Sequence, residues 1–404
     1  MSTGGLSKTR LRRLHDVMAG YVERGVVAGV VTLVNRRGET HVDEIGLKSI
    51  DTGAIGGDPI RRDTIFRIAS MTKPVVATAA MILVEECRLR LDEPVDRLLP
   101  ELADRQVLKR LNGSLDDTVP ANRPITVRDL LTLRMGFGFI MGPAAGYPIL
   151  EAAGEQQLAM GPPKPATPHD PDEWIRRFAT LPLMHQPGER WMYEMGFAVL
   201  GVLIARASGQ PLDTFLRERV FAPLGMTDTG FSVPAANLDR LASCYEADPE
   251  TGALQLYDGV DDSQWSRPPA FPDATGGLVS TIDDYLAFGR MMLNKGKRGS
   301  ERILSRPSVE LMITDQLTPE QKAVSESVPV FLGRSGWGFG VGVVTKRDDV
   351  AAVPGRFGWS GGLGTSWHAD PTEDLVAILM TQHTPPSADV FDDFSTSVYQ
   401  AIDD

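Results

Sequence analysis

The 404-residue sequence predicts an α/β (α+β) fold, in which a central antiparallel sheet built from both ends of the chain is flanked by helices and a largely helical region is inserted between them. Three observations carry this. Strand-like runs fill 27–45 and return only after about residue 330, helical patterns dominate between 70 and 270, and both termini carry helix-periodic segments. The expected division is a sheet domain of residues 1–69 and 271–404 and a mainly helical domain of residues 70–270, with a functional site at their interface.

In chain order, Leu11, Leu14, Val17, Met18 and Tyr21 recur at helical spacing, so 11–23 is expected to be an amphipathic surface helix. Residues 27–34 and 39–45 are apolar or alternating runs around Asn35-Arg-Arg-Gly38, a glycine-bearing turn, and read as two paired strands. The apolar run 74–84 is far shorter than a membrane span and reads as a buried core helix. Segments 89–95, 125–131 and 197–207 are expected to be helical or helix-initiating. Residues 142–172, rich in Pro, Gly and Ala, are expected to form a long surface excursion that suits a lid and equally a disordered insertion. Late in the chain 336–344, 357–369 and 375–381 are glycine-punctuated or β-branched strand runs, closed by a helix at 390–402.

Composition narrows the function classes. A net charge of -12 and a pI near 5.1 argue against nucleic acid or an anionic membrane as partner, since both attract basic patches. Cys87 and Cys244 are too few for a disulfide framework, and the Met-Ser-Thr-Gly-Gly-Leu-Ser-Lys start has no apolar signal segment, so a cytoplasmic location is expected. No Cys/His spacing resembles a zinc site and no glycine-rich phosphate loop follows a strand, so no cofactor is expected.

The chemistry-bearing feature is Ser70 and Lys73 in Phe66-Arg-Ile-Ala-Ser-Met-Thr-Lys-Pro-Val75, a Ser-x-x-Lys pair at the start of the apolar helix. Residues three apart on a helix share a face, so the lysine can act as base to a hydroxyl that is otherwise a poor nucleophile. Burial and the positive end of the helix dipole are both expected to disfavour the Lys73 ammonium. Gln186-Pro-Gly-Glu-Arg-Trp-Met-Tyr193-Glu-Met-Gly-Phe-Ala-Val-Leu-Gly201 then places Tyr193 between a Pro-Gly turn and a new apolar helix.

These segments, with Pro223-Leu-Gly-Met-Thr-Asp-Thr-Gly-Phe231 and Thr275-Gly-Gly-Leu-Val-Ser-Thr-Ile-Asp-Asp-Tyr-Leu286, resemble the serine β-lactamase and penicillin-binding-protein superfamily, in its class C β-lactamase-like branch. The resemblance implies a β-lactamase-like fold and a catalytic set of Ser70, Lys73 and Tyr193, with Tyr193 and Lys73 titrating as one unit that accepts the Ser70 proton. It also implies an oxyanion hole from the backbone N–H groups of Ser70 and Gly362, and a substrate-binding strand at Trp359, Ser360 and Gly361. The family's strand lysine, which holds a β-lactam carboxylate, is replaced by Trp359, and its Tyr-x-Asn element has become Tyr193-Glu-Met195. Both departures resemble family VIII carboxylesterases.

The implied activity is hydrolysis of small to medium carboxylic esters through an acyl-enzyme on Ser70, with a small-molecule ester as partner and a homo-oligomer compatible with the chain. The alternatives are a β-lactamase or D-alanyl carboxypeptidase, an acyltransferase using the same acyl-enzyme, and a non-catalytic scaffold. Gly358-Trp-Ser360-Gly-Gly362 also satisfies Gly-x-Ser-x-Gly, the nucleophile elbow of another hydrolase class. That elbow needs a helix after the serine, whereas the sequence predicts strands.

Overall fold

Two residues with left-handed backbone start the sheet. Arg37 and Gly38 have φ of 49° and 83°, the two-residue turn that matches strand twist, and they join β1 (Gly29–Arg36) to β2 (Glu39–Ser49). The computed structural model describes residues 4–50, 57–140, 146–158, 165, 167–248, 250–325 and 329–404, with the backbone alone at 329–330. A short β3 (Asp58–Pro59) pairs with the end of β2.

The remaining strands come from the C-terminal part: β4 (Ser335–Trp337), β5 (Gly342–Val344), β6 (Phe357–Gly361), β7 (Thr365–Asp370) and β8 (Leu375–Thr381). They form one eight-stranded sheet in the order β4-β5-β6-β7-β8-β1-β2-β3, with every neighbouring pair antiparallel. The two ends of the chain meet at β1 and β8, in register from Val30 opposite Thr381 to Arg36 opposite Leu375. The runs 336–344 and 357–369 are each two strands, because tight turns at Gly340 (φ 75°) and Gly364 (φ 89°) reverse the chain.

β1 and β8 are buried along their whole lengths, so both faces of the sheet centre are covered. On one face Val30, Val34, Ala377 and Leu379 pack with Leu14 and Met18 of α1 (Lys8–Glu23). Phe394 and Val398 of the C-terminal helix Ala388–Gln400 complete that layer. On the other face Val31, Leu33, Ile378 and Met380 join the main core. Each aliphatic side chain withdrawn from water there contributes about 1.5–3 kcal/mol.

The main core continues into the inserted region around α2 (Thr72–Glu85) and α3 (Met195–Ser208), which pack together. Both are apolar around nearly their whole circumference, which suits helices enclosed by protein on all sides. A further helix, α4 (Ile282–Leu293), lies against β7 and β8. Segment 125–131 holds the helix Val127–Leu131, started by a capping box between Thr126 and Asp129. Segment 89–95 is not helical. Pro94 disfavours helical backbone at Glu93, and only a single 3₁₀ turn, Val95–Arg97, follows. The inserted region also carries two short hairpins, Gln106–Leu108 with Thr118–Pro120 and Cys244–Ala247 with Leu254–Asp258. Within the 142–172 excursion, Pro148–Glu155 is a helix, while 142–145, 159–164 and 166 lie outside the described residues. No single helix among the described residues is long and apolar enough to cross a membrane.

Candidate active site

Ser70 sits in a 3₁₀ turn, Ala69–Met71, that runs into α2. The preceding Ala69 has φ of 45°, a left-handed conformation that costs an L-residue about 1–3 kcal/mol and concentrates at functional sites. The turn places Ser70 and Lys73 on one face, with Lys73 Nζ 3.0 Å from Ser70 Oγ.

Lys73 is fully buried. Besides the Ser70 hydroxyl its ammonium donates to Glu194 Oε2 at 2.6 Å and to the Thr275 carbonyl at 2.7 Å, and it lies 4.4 Å from the centre of the Tyr193 ring. The sequence alone predicted an ammonium disfavoured by burial. Burial does pull the Lys73 pKa down, but the charge of Glu194, aided by Tyr193, outweighs it and leaves the pKa above the ordinary lysine value.

Tyr193 stands directly before α3, its hydroxyl accepting a 2.6 Å hydrogen bond from Trp359 Nε1. Burial pushes its pKa up, against the opposing pull of Lys73 and contacts with Ser70 and Trp359. Around it Trp191, Trp337, Phe331 and Trp359 form a continuous aromatic wall, with Trp337 and Trp359 edge-to-face at 4.6 Å between ring centres. The Ser70/Lys73 pair, Tyr193 and Trp359, which lie far apart in the sequence, are thus brought together.

β6 forms the opposite edge. Gly361 has no room for a side chain: an added Cβ would collide with the Ile68 carbonyl oxygen and Thr365 Oγ1, so glycine is required for β6 to approach the Ser70 turn. Gly362 follows at the start of the β6–β7 turn, and Thr365 Oγ1 ties the turn to the Ile68 carbonyl at 3.1 Å. Ser360 departs from the expectation. Strand alternation turns its side chain to the face opposite Trp359, where its Oγ is 3.0 Å from Ser366 Oγ. The same geometry rules out a nucleophile elbow, since Ser360 lies within a strand that turns directly into β7. His368, next to Trp367 on β7, is buried and stacks on Tyr399.

Three contributors escaped the sequence reading. Glu194 had been visible only as part of an altered motif, yet it is buried, has φ of 92°, and holds Lys73. The available signal was a lone carboxylate opening a helix whose next charged residue is Arg206. The Thr275 carbonyl left no trace in residue type. The third is Asp273, whose carboxylate accepts from the Thr275 N–H and hydroxyl at 2.8 and 2.9 Å. Burial, reinforced by the charge of Glu194, raises its pKa from 3.8 to about 6. Glu194 and Asp273 line a water-sized cavity of about 10 Å³ with Leu158, Pro165 and Thr167, so the 142–172 excursion reaches the back of the site.

The raised Asp273 pKa has a thermodynamic sign. A carboxyl that keeps its proton more tightly folded than unfolded favours the fold below its unfolded pKa, and that contribution is lost as pH rises through about 6. Asp273→Asn removes the titration. Relative to wild type, the variant therefore gains about 1–3 kcal/mol between pH 4 and pH 7.5 in urea unfolding. A constant difference across that range would contradict the assignment.

Among the described residues, no group of three or more His, Cys, Asp or Glu side chains is placed to hold a metal ion. A family model described as Beta-lactamase matches residues 14–398. Protein Rv1367c of Mycobacterium tuberculosis is 42% identical over 374 residues, covering 90% of this chain and 88% of that protein. Esterase EstB of Burkholderia gladioli is 32% identical over 391 residues, covering 91% and 89%. The solved structure of EstCE1, titled a hydrolase with promiscuous acyltransferase activity, superposes with a TM-score of 0.79 at 23% identity, over 97% of this chain and 99% of that one. From residue 14 to residue 398, the chain belongs to the Beta-lactamase family.

Proposed function

We propose that this protein is a serine carboxylesterase that cleaves esters of small to medium acyl groups through an acyl-enzyme on Ser70. The observation that carries the reading is the buried Lys73 ammonium 3.0 Å from Ser70 Oγ and beside Tyr193, whose hydroxyl is held by Trp359, the residue that stands where a β-lactam enzyme has a cation. An indole cannot neutralise a substrate carboxylate, and the aromatic wall around it favours an uncharged acyl or alkoxy group. The relatives named esterases, EstB and the lovastatin esterase of Penicillium rubens, support the same substrate class.

In the proposed reaction Ser70 Oγ attacks the ester carbonyl carbon while the Tyr193/Lys73 unit accepts its proton. The N–H groups of Ser70 and Gly362 hold the tetrahedral oxyanion, whose collapse expels the alcohol with the returned proton. Water then repeats the sequence and frees the acid. The division into a sheet domain and a mainly helical domain puts this chemistry at their junction, and a cytoplasmic location suits the small-molecule role.

A second reading, acyl transfer, is favoured by the relatives named acyltransferases, among them Acyltransferase calJ of Penicillium decumbens. It uses the same acyl-enzyme with an alcohol in place of water.

Turnover of p-nitrophenyl butyrate against a chromogenic cephalosporin tests the substrate class. Losing one charge-assisted hydrogen bond to the β-lactam carboxylate predicts an ester kcat/KM higher by about 10–100-fold. Preferred turnover of the cephalosporin would instead assign the protein as a β-lactamase.

A further inference from the structure

All three Lys73 N–H bonds are spent: one on Ser70 Oγ, one on Glu194 Oε2 and one on the Thr275 carbonyl. In that arrangement Lys73 donates to Ser70 and has no lone pair with which to take its proton. Before or during attack, Lys73 must give a proton away. Of the groups in contact with it, Ser70 is the proton source, a peptide carbonyl does not hold a proton, and Tyr193, its pKa raised by burial, is a neutral phenol that accepts no further proton, which leaves the Glu194 carboxylate at 2.6 Å.

We propose that Glu194 is the positioning residue for Lys73 and the acceptor of its proton, so that Ser70, Lys73 and Glu194 act as one relay. The inference rests on Ser70 being the nucleophile of the proposed esterase. In acylation the Ser70 Oγ–H proton passes to Lys73 Nζ as a Lys73 proton passes to Glu194 Oε2, and Ser70 Oγ forms its bond to the carbonyl carbon. When the C–O bond to the alcohol breaks, Lys73 gives a proton to the alcohol oxygen and regains one from Glu194, so no net proton or electron is consumed.

The surroundings suit the role. Glu194 is buried, and its backbone φ of 92° is a strained conformation of the kind that clusters at functional sites. Where both groups are buried, as Lys73 and Glu194 are, a neutral amine beside a carboxylic acid is far closer in energy to the ion pair than it is in solution, because desolvation penalises both charges. The ionisable groups that face the pair are few. Tyr193 lies against Lys73, and Asp273 faces Glu194 across the small cavity. Tyr193, raised by burial, keeps its own proton at neutral pH.

The test is the pH dependence of acylation, read from the p-nitrophenolate burst in wild type, Glu194→Gln and Glu194→Asp. With Glu194 present, the group that must be ionised is a carboxylate. Without it, Lys73 must discharge to solvent, and an amine is intrinsically far more basic than a carboxylate. Glu194→Gln is therefore expected to slow acylation on the order of 100-fold at pH 7, with the ascending limb moved up by more than about one pH unit. Glu194→Asp is expected to keep the limb within about half a unit. If Glu194 only positions Lys73 and holds its pKa up, its removal leaves burial to pull that pKa down, so the limb stays or moves to lower pH, and either result would overturn the relay.

Should Glu194→Gln fail to fold, the wild-type proton inventory for an alkyl ester in mixed light and heavy water decides the matter. Two protons in flight give a curved plot, and a straight line rejects the relay. A burst that persists in Ser70→Ala would overturn the underlying esterase reading instead, so the two failures are separable.

Discussion

Ser70→Ala is expected to abolish the p-nitrophenolate burst and lower ester turnover by at least about 10⁴-fold, the scale seen when a serine nucleophile is removed from a preorganised site. The loss must come from chemistry rather than unfolding. Ser70 lies at the edge of solvent in a short 3₁₀ turn held by the Met71 N–H to Ile68 carbonyl bond, which the substitution leaves intact. Lys73 loses one of three acceptors and keeps Glu194 and the Thr275 carbonyl, so the stability cost is confined to about 1–3 kcal/mol. Mass spectrometry supplies the complementary readout: wild type held at low pH with a slow ester gains one acyl mass, and the variant gains none. Covalent labelling of the variant, or retention of its burst, would move the nucleophile elsewhere.

Much of the sheet was legible because its signals are local. Asn35-Arg-Arg-Gly38 declares a hairpin, and period-two runs declare strands, so the meeting of β1 and β8 follows once both ends are read as sheet. The candidate set Ser70, Lys73 and Tyr193 was legible because each residue lies inside a patterned segment next to an apolar helix. What was not legible depends on the third dimension. Ser360 and Trp359 are neighbours in sequence but face opposite sides of β6, and only the register with Ser366 reveals it. The ionisation of Lys73 turned on Glu194, 121 positions away, whose charge reverses the effect that burial alone predicts. Segment 89–95 initiates only a single 3₁₀ turn for the opposite reason, since Pro94 carries a local veto that helix-forming neighbours masked.

Lys73→Met is expected to be both inactive and unstable, and the combination is informative. Methionine matches the length of the lysine stem but leaves Glu194 buried opposite an apolar group. Removing one member of a buried ion pair costs about 3–5 kcal/mol, because the survivor has neither solvent nor counter-charge. The Thr275 carbonyl and Ser70 lose a donor as well. Activity should fall by at least about 10³-fold, through loss of the base alone. Because a destabilised variant can be inactive for trivial reasons, the double variant Lys73→Met/Glu194→Gln separates the two effects. It removes both charges, and replacing a buried pair by neutral groups of similar volume restores on the order of 1–4 kcal/mol. The double variant should therefore melt closer to wild type than the single one while remaining without a burst. If the single variant unfolds in urea as wild type does, Glu194 is not held in the fold by Lys73, and the ion pair at the centre of the site would have to be redrawn.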